Sequence, residues 1–433
     1  MPVKYLLIVT LILILDIVLG TIRLDLLSMP LGFTSQVVVR DVNSASQMAL
    51  SGDQKILFVA GDKEIYAIPL TRHSIYPDDI IGKSILKLAY RLDGASGVAY
   101  NNDTDVLYFS QKDGIYVIDD VTQQLLKEYP SLPLTYRPLL NKLPENNKHT
   151  MKYIKYRGGR IYFVNNSPCD ACMISSPHGR LISMNQTGGD VIYHASGIRN
   201  NFGFDWHGDT NDLWFTDNSK DSTNPALPNE LNVISTIVQP QDSHFGFPFC
   251  YGKGTQDDVF IKNDTCKSFI PSKYDLPARC DAKGTSFYRY KSGEEASVPP
   301  QYVDNKNVIL VAEHGTTDPA SSGFCISVID TNNPESYEVL IDGWLVKSKS
   351  GSADAYWGQP VDVLMVGDGS FLISDSYANA VYRIAYNSTV EPFVASNPVL
   401  AVLLPLFSAA VVFLMGVVVF GAIVWERKYY HKL

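Results

Sequence analysis

The sequence carries no block of like charge, no Gly-x-Ser-x-Gly or His-Glu-x-x-His motif, and no excess of basic residues. Lys and Arg number 36 against 45 Asp and Glu, a formal charge of -9. Without a basic stripe there is no electrostatic footprint for nucleic acid, so nucleic acid is excluded as a partner. Without a nucleophile elbow or a zinc-binding helix motif, the common hydrolases lack their signature. A glycine-repeat pattern is also missing, and 45% hydrophobic with 19% charged residues is globular composition, which rules out a collagen-like or disordered polymer. What is abundant is Gly (30), Tyr (25), Pro (24) and Phe (19), a balance that favours strands and turns over helices. An all-β fold is expected.

Both ends differ from this middle. Residues 1–20 hold one basic residue, Lys4, then an apolar run to Leu19 broken by Thr10 and Asp16, then small residues at the Val18-Leu19-Gly20 junction. That is the pattern of a signal peptide cleaved near Gly20, and the run is short for an uncleaved anchor. Val399 to Trp425 contains no charged residue and is long enough to span a bilayer, and Arg427, Lys428 and Lys432 follow it. Positive residues stay on the cytoplasmic side, so the reading is type I at the cell surface or on a secretory-pathway membrane. Residues 21–398 then lie outside or in the lumen, and 426–433 form a cytoplasmic tail. The outer part is acidic and has no electrostatic reason to lie on anionic lipid.

Secretion suits the five glycosylation sequons at Asn102, Asn165, Asn185, Asn263 and Asn387. It also suits six cysteines, an even number, read as disulfides. Cys169 and Cys172 form a Cys-x-x-Cys pair with no second copy to complete a zinc set and no thioredoxin-like pattern around it, which argues for a structural bridge. Between Gln239 and Lys283 runs a long excursion, expected to be an insertion stapled by Cys250 to Cys266. Cys280 and Cys325 are left for each other.

A short apolar strand recurs six times, at Ile56, Val106, Ile161, Leu213, Ile309 and Phe371, each preceded by another apolar strand and followed by a polar loop and a third strand. A repeat of about 50 residues built from such strands is the mark of β-propeller blades. A six-bladed propeller is expected, with the Gln36 to Arg40 strand closing the ring on the last blade. In each blade the loop entering the innermost strand and the loop leaving the second open on one mouth of the channel. The entering loops bring Ser96, His149 with Lys152, Arg199 with Asn200, Thr285 and Gln359. The leaving loops bring Gln111, Asn165, Asp217 with Asn218, Glu313 with His314, and Asp375. His207, at a strand end after Trp206, reads as a turn residue.

The segment Gly197-Ile-Arg-Asn-Asn-Phe-Gly-Phe-Asp-Trp-His207, with Leu213-Trp-Phe-Thr-Asp-Asn218, Asn229-Glu-Leu-Asn232 and His244-Phe-Gly-Phe-Pro-Phe-Cys250, resembles the glucose/sorbosone dehydrogenase family. Ala312-Glu-His-Gly315, Trp357-Gly-Gln-Pro-Val-Asp-Val363 and Ser167-Pro-Cys-Asp-Ala-Cys172 extend the resemblance over most of the chain, closest to the sorbosone dehydrogenase branch. The resemblance implies a six-bladed propeller that oxidises a sugar or other small polyol or aldose with pyrroloquinoline quinone (PQQ) and calcium. It implies that His149 is the base, with strict register offering Lys148 instead. By the same resemblance Arg199 faces the quinone, Asn200, Asn218, His314 and Gln359 contact the cofactor, and the carbonyls of Ser219 and Lys220 hold calcium. Glu230 and the Phe245 carbonyl match a second calcium site. Ser96 replaces an amide of the family, and Gln359 replaces an arginine, removing a permanent positive charge from the site of a polyanionic cofactor. The alternative expectation is a catalytically degenerate propeller that binds a carbohydrate or an extracellular protein.

Overall fold

The computed structural model describes residues 22–70, 85–127, 131–144, 148–221, 226–235, 242–260, 266–289, 299, 307–316, 322–333, 335–347 and 355–387. The expected signal peptide, spanning segment and cytoplasmic tail lie outside the described residues, as does Asn263. Among the described residues no helix is long and apolar enough to cross a membrane.

Among the described residues six sheets follow one another in chain order and form the blades, each of four antiparallel strands, with a fifth strand added in parallel to the third. Their second strands are Ile56–Ala60, Val106–Gln111, Arg160–Asn165, Leu213–Asp217, Val308–Glu313 and Phe371–Asp375, the six repeats of the sequence. The sixth blade takes its outermost strand from the other end of the chain: Phe33–Val39 pairs with Ala380–Tyr386, Phe33 opposite Tyr386, and closes the ring as the sequence implies.

These strands are continuously apolar because both faces of each blade are covered. All six residues of Val308–Glu313 and all five of Leu213–Asp217 are buried. Side chains alternate across a strand, so Leu57 and Val59 pack toward the sixth blade with Val38, Met48 and Leu372, while Phe58 and Ala60 pack toward the second with Leu107 and Phe109. Each of the six seams between blades has its own apolar cluster, and the ring has no single centre of hydrophobicity.

One buried polar network crosses these seams. Asp205, on the innermost strand of the fourth blade (Phe204–Trp206), accepts from Lys155 of the third blade at 2.9 Å, and from Arg289 at 2.8 Å and the Phe287 N–H at 2.9 Å of the fifth. Burial opposes ionisation, but the charges of Lys155 and Arg289 and the Phe287 hydrogen bond overcome it and hold Asp205 down at about 2. A carboxyl depressed on folding contributes stability above its unfolded pKa and loses it as pH falls through the folded one. Asp205→Asn is therefore expected to cost about 3 kcal/mol at pH 7, since removing one partner of a buried pair strands the others. Denaturant melts should show that gap shrinking between pH 4 and pH 2, and a gap independent of pH would remove the network from the account of stability.

The structure corrects three expectations. The excursion from 239 to 283 carries the expected Cys250–Cys266 staple but is not an insertion outside the blades. Ser243–His244 extends the third blade in parallel, Tyr274–Leu276 is the outer strand of the fourth, and Ala282–Phe287 begins the fifth. A three-residue strand with Tyr274 and Leu276 buried around an exposed Asp275 is too short for alternation to reveal. Cys169–Cys172 and Cys250–Cys266 are bridged, but Cys280 and Cys325 are buried free thiols. Each sulfur is turned onto a polar neighbour: Cys280 accepts from the Asn229 amide at 3.3 Å, and Cys325 donates to Glu313 at 3.5 Å. Finally, Asn165 is 0% exposed, so a glycan has no room there, whereas Asn102 and Asn387 are exposed and Asn185 is half-buried.

Candidate active site

At the mouth, the loop after the third blade is held from below. Asp217, ending the second strand of the fourth blade, turns its carboxylate back to accept the N–H groups of Arg199 at 2.9 Å and Asn200 at 2.6 Å. Burial pushes Asp217 up from the ordinary carboxyl range, and Glu230, its cross-strand partner, is pushed up by burial and by the Asp217 charge. Gly197 makes the turn at φ +68°, where a Cβ would strike His244. Asn201 adds hydrogen bonds to the Gly203 and Thr216 carbonyls.

This frame projects Arg199, only 3% exposed, into the mouth. Its Nε donates to the Asp170 carbonyl at 2.8 Å and its Nη1 to the Asn218 carbonyl at 2.9 Å, and Nη2 pairs with the Asp170 carboxylate. Asp170 lies between the bridged Cys169 and Cys172, so the short disulfide loop delivers a carboxylate onto the guanidinium. That carboxylate stands below the usual range: burial opposes ionisation, but Arg199 outweighs it. Lys148 spans Asp170 at 3.4 Å and Asp221 at 3.5 Å.

His149 is buried beside this cluster. Its Nδ1 lies 2.8 Å from the Ser167 carbonyl, which can only accept, so Nδ1 carries the proton and Nε2 the lone pair. Burial lowers its pKa to about 4, the Arg199 and Lys148 charges add to that, and the Ser167 bond and Asp170 oppose it. The imidazole is neutral at physiological pH. Between His149 and Lys148, the register that sequence comparison leaves open, only the histidine is a buried group able to accept a proton.

His149, Arg199, Asn200, Asn218, Ser219 and Lys220 line one cavity of about 460 Å³. Lys148, Asp221, Arg279 and Asp281 line it as well, and sequence reasoning gave none of these four a role of its own beyond Lys148 as an alternative register. Among the described residues the buried Asn200 and Asn218 amide oxygens have no hydrogen-bond partner. The Asn218 amide nitrogen donates to Asp281 at 3.1 Å and to the Ala282 carbonyl at 2.9 Å, while Lys220 is held by Asp257 at 2.7 Å and Asp258 at 2.6 Å. Asp281, held well below the ordinary range chiefly by Lys283 and His314 against the effect of burial, connects the cavity to His314 at 3.2 Å. His314 continues to Ser376 at 3.2 Å, with the Gln359 amide 3.5 Å away.

The remaining mouth residues named from the sequence do not open on the cavity. Thr285 lies inside its strand, bonded to the Leu310 carbonyl, and Ser96 is occupied with the Lys152 backbone. Asp375 caps its own loop and accepts from Tyr382, Glu313 faces Ser327 and Cys325, and Gln111 accepts the Asp93 N–H. Lys152 is buried against the Lys112 carbonyl, and burial lowers it to about 8. His207 holds the Asp209 and Thr210 N–H groups, as a turn residue does. Both Glu230 oxygens accept protein donors, the Gly252 N–H and the Asn232 amide, and Phe245 packs on Phe215. Among the described residues no three His, Cys, Asp or Glu side chains converge as a metal cluster.

No family model matches the sequence. An uncharacterized protein of Borreliella burgdorferi is 28% identical over 373 residues, covering 83% of this chain and 91% of that one. Among solved structures, a Trichoderma reesei carbohydrate-active enzyme of family AA12 superposes with a TM-score of 0.65 at 14% identity, over 83% of this chain and 98% of its own. The holo form of the PQQ domain of pyranose dehydrogenase from Coprinopsis cinerea gives 0.65 at 14% identity, over 83% and 97%. Likeness at such identity is likeness of fold, and the fold of this chain is that of the PQQ sugar-dehydrogenase propellers its sequence resembles.

Proposed function

We propose that the protein is an oxidoreductase that oxidises a sugar at the channel mouth, with His149 as the base. The observation that carries this reading is a neutral imidazole with its Nδ1 proton tied to Ser167, next to a guanidinium, in one cavity. Taking hydride from a sugar carbon requires a base for the hydroxyl proton, and His149 Nε2 meets that need.

The cavity suits a quinone tricarboxylate with calcium. Four cationic side chains, Lys148, Arg199, Lys220 and Arg279, line it against the carboxylates of Asp221 and Asp281, and the two buried amide oxygens of Asn200 and Asn218 are hard ligands for a cation or acceptors for a ligand N–H. PQQ held there would supply a two-electron acceptor, with calcium as the Lewis acid on its carbonyl. In this reading Arg199 binds carboxylate and stabilises negative charge as it develops, Lys148 adds a half-exposed cation at the edge, and Asn200 and Asn218 orient the ligand. The backbone carbonyls of Ser219 and Lys220, residues that line the cavity, would hold calcium. Against it stands Asp170, which already occupies Arg199 and with which a tricarboxylate must compete.

The test is calorimetric titration of PQQ into the protein with calcium, followed by reduction of an artificial electron acceptor with a panel of aldoses. Saturable binding and sugar-dependent turnover are expected. No binding and no turnover would leave the degenerate propeller that holds a carbohydrate or a protein ligand. The signal-like start and the uncharged stretch before Arg427 support a membrane-tethered propeller facing outward. An epitope inserted beside the exposed Asn387 should be labelled on intact cells and one appended after Leu433 only after permeabilisation, and the opposite labelling would reverse the topology.

A further inference from the structure

The mouth has two unlike halves. Arg199, Lys148, Lys220 and Arg279 gather on the cavity side. Across it, beyond Asp281, the chain of contacts through His314 and Ser376 arrives at Tyr377, which is 52% exposed. Tyr377 is no wandering side chain. Its N–H and that of Ala378 both donate to the buried Asp375, at 3.1 and 2.8 Å, and its ring meets Tyr356 at 4.6 Å between centroids. Tyr356 is backed in turn by the buried Phe324 at 5.3 Å. The result is a fixed aromatic step on the loop leaving the second strand of the sixth blade, at the same end of the propeller as the cavity.

The uncharged polar groups beside that step are Gln359 and Ser376, joined through His314, which meets Asp281 at 3.2 Å. Gln359 and Ser376 are neutral by nature, and burial together with the Lys283 charge holds His314 below its ordinary range. Neither Gln359 nor Ser376 offers an anion a charge, and a purely apolar partner would leave the hydrogen-bonding capacity that each has beyond its contact with His314 unused. A pyranose ring meets both demands: its C–H face lies on an aromatic ring while its hydroxyls find donors and acceptors at the edge. Gln359, which removes a charge expected from the family resemblance, thereby belongs to a neutral ligand wall.

We propose that Tyr377, backed by Tyr356, is a saccharide subsite, so that the ligand is a chain of two or more sugar units with one end in the cavity and a further ring on Tyr377. This rests on the reading of the cavity as a sugar site and extends it from a free monosaccharide to an oligosaccharide. A rigid, half-exposed aromatic near a pocket provides stacking area at little entropic cost, which is what a second sugar ring needs to add affinity.

The experiment is calorimetric titration of glucose and of the maltose and cellobiose series, two to four units, into wild type, Tyr377→Ala and Tyr377→Phe. It needs no quinone and no turnover. One oligosaccharide series is expected to bind wild type about tenfold more tightly than glucose, with the advantage lost in Tyr377→Ala and kept in Tyr377→Phe. Equal affinity for glucose and every oligosaccharide, an advantage that survives Tyr377→Ala, or no binding of either series overturns the proposal. A parallel aldose dehydrogenase assay separates the two readings: oligosaccharide binding without turnover sinks the enzyme alone, and turnover of glucose without an oligosaccharide advantage sinks the subsite alone.

Discussion

Replacing His149 by Ala is expected to lower sugar oxidation by 10²- to 10⁴-fold, roughly the contribution of a positioned general base, while leaving quinone binding within a few-fold of wild type. Lys148→Ala is the control for register: its amine is half-exposed and tied to Asp170 and Asp221, so its loss should cost less than tenfold in turnover. The pH profile gives the sharper check. Because burial and two neighbouring cations lower His149 to about 4, the base is already unprotonated at pH 6, and the acid limb of kcat/KM should lie near 4 instead of near the ordinary histidine value. Removing the Arg199 charge should move that limb upward, since Arg199 disfavours the imidazolium. A limb near 6.5 in wild type that Arg199→Ala does not move would mean that another group supplies the base.

The architecture was legible because propeller blades repeat their grammar six times. Each second strand is buried on both faces and so reads as an unbroken apolar run, and even the closure by Phe33–Val39 follows from one β-rich segment left over at the start. The cavity residues were legible for a different reason. Arg199, Asn200 and Asn218 sit at fixed places beside strand ends, and the resemblance marked these positions residue by residue. What escaped were features that depend on side chains meeting across the ring. Asp170 lies in a bridge that reads as structural, and nothing in Cys-Asp-Ala-Cys says that its carboxylate reaches a guanidinium 29 residues on. Arg279 and Asp281 lie in what reads as an insertion, and Tyr377 two residues beyond a mouth residue, Asp375. The thiols of Cys280 and Cys325 were paired by elimination, an argument blind to the polar neighbours each sulfur has in the fold.

Whether the mouth accepts a tricarboxylate turns on Asp170 as much as on Arg199, and the two substitutions are expected to move affinity in opposite directions. Arg199→Ala removes a buried cation with two backbone anchors and should weaken PQQ binding or transition-state stabilisation by about 2–4 kcal/mol, a loss of roughly 30- to 1,000-fold. Asp170→Asn keeps the backbone carbonyl that accepts from Arg199 Nε but removes the carboxylate that competes with the ligand, so it should tighten PQQ binding by about tenfold, the scale of one charge-assisted contact. Gln359→Arg should act in the same direction by adding a cation beside His314. It should also cost affinity for an uncharged sugar on the sixth-blade side, because the neutral wall acquires a charge that a pyranose cannot satisfy. Calorimetry of the three variants with PQQ in calcium buffer decides the matter. If Asp170→Asn and Gln359→Arg bind no quinone, relieving the competition and restoring the charge have both failed, and the cavity is that of a binder. If Asp170→Asn binds more weakly than wild type, the carboxylate belongs to the ligand site as a positioning group for Arg199, and the competition argued here is wrong.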